Sequence, residues 1–338
     1  MSLRLGATAA ALRWSAAAHG AFTGPALSIL IFHRVLERPD PLFPGETDAA
    51  RFDALMGLVA RSFRVVTVGQ ALADLVQGRV APRSLAITFD DGYADNAEVA
   101  LPILLRHGLR ATFFVATGFL DGGRMFNDSV IETVRASPRT QLDLGEFGLG
   151  RLGSGTIAER RAVIEALIPK VKVLPLRERE DALQRLWRAC GEPALPSTLM
   201  MRSAQVQQLH AAGMEIGGHT ANHPILARCA DDEAQREIES GRDALRRLVD
   251  APIDVFAYPN GRPDTDYDAR HVGMVRALGF RGAVSTAPGA ARVAADPYQL
   301  PRCTPWGRSH AKWSAEFLAN LNQRAFTTAG AAHPAGSR

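Results

Sequence analysis

Cysteine is scarce in this chain: Cys190, Cys229 and Cys303 are the only three among 338 residues. An odd number so widely spaced makes neither a disulfide framework nor a Cys-x-x-Cys metal knuckle. They read as packed free thiols, which suits a reducing compartment, and a cytoplasmic or membrane-peripheral location is favoured over a periplasmic one. No apolar run reaches ~18 residues, so a membrane-spanning helix is not expected. Lys and Arg exceed Asp and Glu by only 39 to 35. The arginines are scattered, with no basic run interleaved with aromatics, so nucleic acid is not an expected partner. Internal repeats are absent, and nothing in the sequence speaks to oligomeric state.

The first 26 residues lack the long apolar stretch of a secretory leader, because Arg13 interrupts an alanine-weak segment. They read as an amphipathic helix carrying Leu5, Leu12 and Trp14, with a leader cleaved near Ala16-Ala17-Ala18 as the alternative. At the other end, residues 306–338 are expected to hold a helix followed by a disordered tail, Ala/Gly/Pro/Ser-rich from Thr327 onward.

Between these ends, short β-branched and aromatic runs alternate with amphipathic stretches, the pattern of β/α units around a parallel sheet. Residues 27–305 form one such domain, of fold class α/β: a distorted (β/α) barrel of about seven strands with a helical insertion. The insertion spans residues 126–202, where the alternation gives way to an Arg- and Glu-rich helical segment. Pro169 and Pro175 are expected to interrupt it, and it reads as a lid or a wall of the substrate groove.

Two segments carry chemistry. The first is Ile87-Thr88-Phe89-Asp90-Asp91-Gly92, a buried strand that ends in two adjacent carboxylates and a turn glycine. The C-terminal tips of such strands are where α/β folds keep their active sites. Neighbouring like charges are costly unless a cation shares the site. The pair therefore suggests one carboxylate on a metal and the other free as a base. The second segment is Gly217-Gly218-His219-Thr220-Ala221-Asn222-His223-Pro224. A helical zinc-protease motif is ruled out by the flanking glycines and proline, and by Thr220 where that motif needs Glu. The two imidazoles lie instead on a strand tip and the turn beyond, from which both can reach one divalent ion, Zn²⁺ above all, or Co²⁺, Ni²⁺ or Fe²⁺.

These segments resemble the motifs of the polysaccharide deacetylases, carbohydrate esterase family 4. Thr-Phe-Asp-Asp-Gly stands unaltered at Thr88–Gly92, and His-Ser/Thr-x-x-His-Pro at His219–Pro224. The resemblance covers about residues 27–303. It implies Asp91, His219 and His223 as metal ligands, Asp90 as catalytic base, and an acetylated glycan as substrate.

The chain departs from the family pattern twice. In Phe256-Ala257-Tyr258-Pro259-Asn260-Gly261, Ala257 replaces an arginine that orients the base, and Asn260 replaces a tyrosine. The Asn260 backbone N–H still serves as an oxyanion donor, since that role needs no side chain. In Leu300-Pro301-Arg302, an arginine stands where the family places its acidic histidine. Arg302 is the candidate to replace the lost arginine contact to Asp90. The general acid then passes to His33, which ends the first strand and resembles a histidine of the poly-N-acetylglucosamine deacetylase branch. Asn127-Asp128 reads as a helix cap or a contact for sugar hydroxyls, and His107, His210, His271 and His310 as surface residues. The function implied is metal-dependent removal of acetyl groups, N-acetyl above all, from a polysaccharide or oligosaccharide. Its rivals are an amidohydrolase of a small or lipid-linked sugar and a degenerate glycan-binding protein.

Overall fold

The computed structural model describes residues 2–323 and 326–330. Seven parallel strands form the central sheet: β1 (Leu27–Phe32), β2 (Arg64–Val66), β3 (Ser84–Phe89), β4 (Thr112–Val115), β7 (Glu215–Gly218), β8 (Val255–Ala257) and β9 (Gly282–Val284). Their order is β1-β3-β4-β7-β8-β9. The short β2 lies beside the first half of β3 and β4 beside its second half. Segment 300–303 bridges the outer strands, because Leu300 pairs with Val284 and Cys303 with Leu30, both in parallel. That segment draws the two sheet edges together into a distorted (β/α) barrel, leaving no exposed strand edge between β9 and β1.

Strand parity explains the two cores. Leu27, Ile29, Ala86, Phe114, Val255, Ala257, Val284 and Leu300 pack with α3 (Val68–Val76) in one cluster, inside the barrel. The alternate residues, Leu30, Phe32, Leu85, Ile87, Phe89 and Phe113, pack against the outer helices. Strands buried on both faces read as near-continuous apolar runs, as β1 and β3 do apart from Ser28, Ser84 and Thr88.

The outer helices begin with α1 (Ser2–Thr23) and α2 (Ala49–Ser62). Asp48 caps α2, accepting from the Arg51 N–H at 2.9 Å, and Phe52, Leu55, Met56 and Val59 form its buried face. In α1 the buried residues are Ala9, Leu12 and Ala16, so Leu12 faces the protein as expected, but Trp14 is 80% exposed. The side chain of Leu5 lies outside the described residues. Among the described residues no helix is long and apolar enough to cross a membrane. All three cysteines are free.

After α4 (Leu101–Arg106), the insertion contributes α5 (Phe126–Ala136), an antiparallel hairpin of β5 (Gln141–Asp143) and β6 (Arg151–Gly153), α6 (Ile157–Lys172) and α7 (Leu176–Ala189). It has a core of its own, including Val130, Val134, Leu142, Val163, Leu167 and Leu186. Pro169 does not interrupt it; it sits inside α6, near its end, while Pro175 separates α6 from α7 as that helix's N-cap. A proline so near a helix end removes only one hydrogen bond, to the carbonyl of an exposed glutamate, Glu165.

The chain then runs through α8 (Ser203–Ala211), α9 (Asp231–Val249), α10 (Ala269–Ala277) and α11 (His310–Asn322). His271 is not at the surface: it is fully buried in α10, where its Nδ1 accepts from the Asp268 N–H at 3.0 Å and helps cap the helix. The beginning of the expected tail is fastened. Ala329 N–H donates to Gln299 Oε1 and Gly330 N–H to Asp264 Oδ1. Residues 331–338, the rest of the tail, lie outside the described residues.

Candidate metal and catalytic site

The site gathers at the C-terminal tips of β1, β3, β7 and β8. Asp90 keeps the inward parity of Ala86 and Thr88, and so stands at the top of the barrel interior. Leu300 and Arg302 share the same inward parity on the bridging segment. The Arg302 guanidinium forks onto Asp90, its two terminal nitrogens donating at 2.7 Å to Oδ1 and at 2.7 Å to Oδ2. Its Nε donates to the Ser285 carbonyl at 2.8 Å, and one terminal nitrogen also reaches Thr88 Oγ1 at 3.2 Å. Arg302 is only 1% exposed and Asp90 2%. Burial works to raise the Asp90 pKa, but Arg302 and then His219 outweigh it and hold the carboxyl below its usual range. Ala257, where the family motif has its arginine, is a fully buried residue of β8.

Asp91 turns the other way. It adopts φ 75°, with Gly92 following at φ 92°. Its Oδ1 lies 3.3 Å from His219 Nε2 and 3.4 Å from His223 Nε2, yet is buried without a hydrogen-bond partner. His219 Nδ1 is 2.7 Å from the Ala257 carbonyl, which can only accept, so Nδ1 carries the proton and Nε2 presents its lone pair to the site. Burial pushes the His223 pKa down to about 4, so that this imidazole is neutral at ordinary pH. Burial also opposes ionisation of Asp91, but the two imidazoles it faces outweigh it and hold the carboxyl well below the usual range. One ligand atom from each of Asp91, His219 and His223 lies within 4.8 Å of the others. A buried anionic oxygen without a partner, facing two imidazole nitrogens, is the donor set a divalent cation requires.

The loop that carries both histidines is held from outside. Glu237 on α9 accepts from the Asn222 N–H at 2.7 Å, the Asn222 side-chain amide at 2.7 Å and the Ala221 N–H at 3.2 Å. Thr220 Oγ1 accepts from the His223 N–H at 3.0 Å. Gly241 lets α9 lie directly on this loop; a Cβ there would stand 2.6 Å from the Thr220 carbonyl. Thr220 (φ 64°), His223 (φ 50°) and Asn260 (φ 60°) join Asp91 in left-handed backbone that non-glycine residues seldom adopt. Four such residues on three neighbouring strand tips mark a region shaped for something other than stability.

Two adjoining cavities, of about 1020 and 750 Å³, meet above these tips and share His33, Asp91, Asn127 and Ile131 as lining. Asp90, Asp91, His219, His223, His33 and Asn260 all line the smaller one, whereas Arg302 supports Asp90 from behind. The His33 side chain is exposed. Among the described residues the Asn260 N–H has no acceptor, and its carbonyl is held by Thr286 Oγ1 at 2.8 Å.

Glu237 and Gly241 escape the sequence reading, since one looks like an ordinary helix glutamate and the other like a helix fault. Asp128 is not a helix cap: Met125 occupies that position, and Asp128 lies inside α5, 3% exposed, with one carboxylate oxygen lacking a partner. Burial raises its pKa to about 7.

A (β/α) barrel presenting two histidines and an aspartate to one point, with a second carboxylate clamped beside them, defines a class of hydrolytic metal sites. Sequence comparison narrows that class: the family described as polysaccharide deacetylase matches residues 77–141 and 183–283. The chain belongs to this family, whose members hydrolyse carbon–nitrogen bonds other than peptide bonds. The unmatched stretch between the two segments falls within the insertion. Several solved structures share the fold. The Streptococcus pyogenes deacetylase PplD, solved with acetate, is 18% identical over 82% of this chain and 92% of its own, with a TM-score of 0.55. IcaB from Ammonifex degensii is 18% identical over 86% of this chain and 98% of its own, also at 0.55. A de-N-acetylase from Aggregatibacter actinomycetemcomitans is 14% identical over 82% and 94%, at 0.52. No curated protein matches the chain.

Proposed function

We propose that this protein removes N-acetyl groups from an acetylated oligosaccharide or polysaccharide, with a divalent metal, Zn²⁺ foremost, held by Asp91, His219 and His223. The observation that carries the reading is the division between two adjacent carboxylates. Asp91 faces both imidazoles with an unpartnered oxygen, while the Arg302 fork engages both oxygens of Asp90. Bound at the three ligands, the cation supplies Lewis acidity toward the amide carbonyl and toward water.

Within this reading the chain's own groups have separate tasks. Asp90, ionised and fixed by Arg302, accepts a proton from the attacking water. The Asn260 N–H, which has no acceptor among the described residues and belongs to a residue lining the same cavity, donates to the oxygen on which negative charge develops. His33 is placed to give a proton to the departing amine.

The test is acetate release from a panel of N-acetylated glycans, with Zn²⁺, Co²⁺ or Ni²⁺ added or chelated, beside Asp90→Asn. Metal-dependent acetate that disappears with Asp90→Asn supports the reading. Acetate release that survives Asp90→Asn refutes the role given to this carboxylate.

A further inference from the structure

The insertion brings a cation to the catalytic cavity that the reaction outlined above does not use. Lys172, the last residue of α6, lines the smaller cavity together with Asp90, Asp91 and both histidines. Among the described residues its ammonium makes no hydrogen bond or ion pair. Burial depresses the pKa of its ammonium, and nearby Arg262, Arg179 and Arg228 push in the same direction. Asp266 acts against them, but that carboxylate is already committed to Arg262 through bonds of 2.9 and 3.3 Å to the guanidinium and 3.0 Å to its N–H.

The surrounding cations sharpen the imbalance. Arg179 is 7% exposed, donates to the Lys172 and Leu174 carbonyls, stacks over Phe126, and keeps a buried Nε with no partner. Arg228 donates to the Val173 carbonyl. These arginines close the end of α6, and its helix dipole favours positive charge there. The dipole accounts for a lysine at a helix end, but not for one turned half-buried toward an active cavity with no counter-charge. A desolvated cation is tolerated where a ligand supplies the missing anion.

We propose that Lys172 forms a subsite for an anionic substituent of the glycan, a carboxylate or a phosphate, next to the acetamide being hydrolysed. The inference rests on the deacetylase reading for which sugar enters the cavity, but its test reads binding rather than turnover. A failure of the hydrolytic reading would show as absent acetate while charge-dependent binding persisted.

The full-length Asp90→Asn protein, loaded with Zn²⁺, is titrated calorimetrically with three probes. These are neutral chitohexaose, an N-acetylheparosan hexasaccharide carrying glucuronates, and a phosphodiester-linked N-acetylglucosamine oligomer of equal length. At least one anionic probe is expected to bind about tenfold or more tightly than chitohexaose, the gain of one charge-assisted contact. Whichever of the two does so identifies carboxylate or phosphate as the recognised group. Added in the same background, Lys172→Gln should abolish that preference and Lys172→Arg should keep it. Lys170→Gln, an exposed lysine on the same helix, should leave it unchanged. Equal affinity for all three probes overturns the proposal. So does a preference that survives Lys172→Gln or falls equally with Lys170→Gln, because the general surface charge would then be its source.

Discussion

Replacing Arg302 with leucine tests the one contact on which the site's division of labour depends. The side chain is 1% exposed and holds both oxygens of a carboxylate that is itself 2% exposed. Removing one partner of such a pair leaves a buried charge without compensation, at a cost of about 3–5 kcal/mol. The Ser285 carbonyl would also lose its donor. Urea unfolding of Arg302→Leu should show this loss as a lower midpoint at unchanged slope. The double variant Asp90→Asn/Arg302→Leu removes the stranded charge as well, and should regain about 1–3 kcal/mol relative to Arg302→Leu. In acetate release, Arg302→Leu should fall by about 10²-fold or more, because the base is no longer held in place. Arg302→Lys keeps the charge but not the fork, and should be intermediate in both assays. If Arg302→Leu unfolded within about 1 kcal/mol of the parent and turned over normally, the argument that Arg302 orients Asp90 would fail.

Three further outcomes follow from the geometry. Glu237→Ala removes the acceptor for both Asn222 donors and leaves the Ala221 N–H only the backbone carbonyl of residue 237; it should weaken metal binding about 10–100-fold by calorimetry, with all three ligands intact. Gly241→Ala sets a Cβ against the Thr220 carbonyl and should cost about 1–3 kcal/mol in urea unfolding, together with a weakened metal affinity. Asp128 has a folded pKa of about 7 against 3.8, so the native state binds the extra proton and its stability contribution is lost as pH rises from about 4 to about 7. Asp128→Asn, measured metal-free, should match the parent near pH 4 and exceed it at pH 8 by up to about 4 kcal/mol; equal stability at both values would refute the burial argument.

Much of the barrel was legible because its signals are local. Near-continuous apolar runs at residues 27–32 and 84–89 announce strands buried on both faces, and the capping aspartate and 3.6-residue spacing announce α2. Features set by contact were not legible. Trp14 carries the strongest apolar signal in the first helix, yet small residues, Ala9 and Ala16, flank Leu12 on its buried face, since a helix lying close on its neighbours needs little bulk. Pro169 reads as a break in one dimension, but near a helix end its missing N–H costs only one bond. His271 looks like a surface histidine until its ring is seen completing a cap.

The same distinction runs through the site. The carboxylate pair and the histidine pair are adjacent or nearly so in sequence, so each pair could be read where it stands. The clamp on Asp90 joins residues 212 positions apart; the motif comparison offers Arg302 for it, and strand parity explains how that side chain reaches. Counting inward from Leu300 puts Arg302 inside the barrel at the level where Thr88 and Asp90 face it. The physical requirement is a fork of donors, in a dry interior, on the carboxylate that must stay ionised and fixed. Any inward position at that height meets it, whether on β8 or on the segment that joins β9 to β1. Ala257 gives up the position on β8, and its small side chain leaves the interior to the guanidinium that arrives from residue 302. The two departures from the motif pattern, Ala257 and Arg302, therefore amount to one rearrangement: the cation is supplied from another strand while the carboxylate keeps its place.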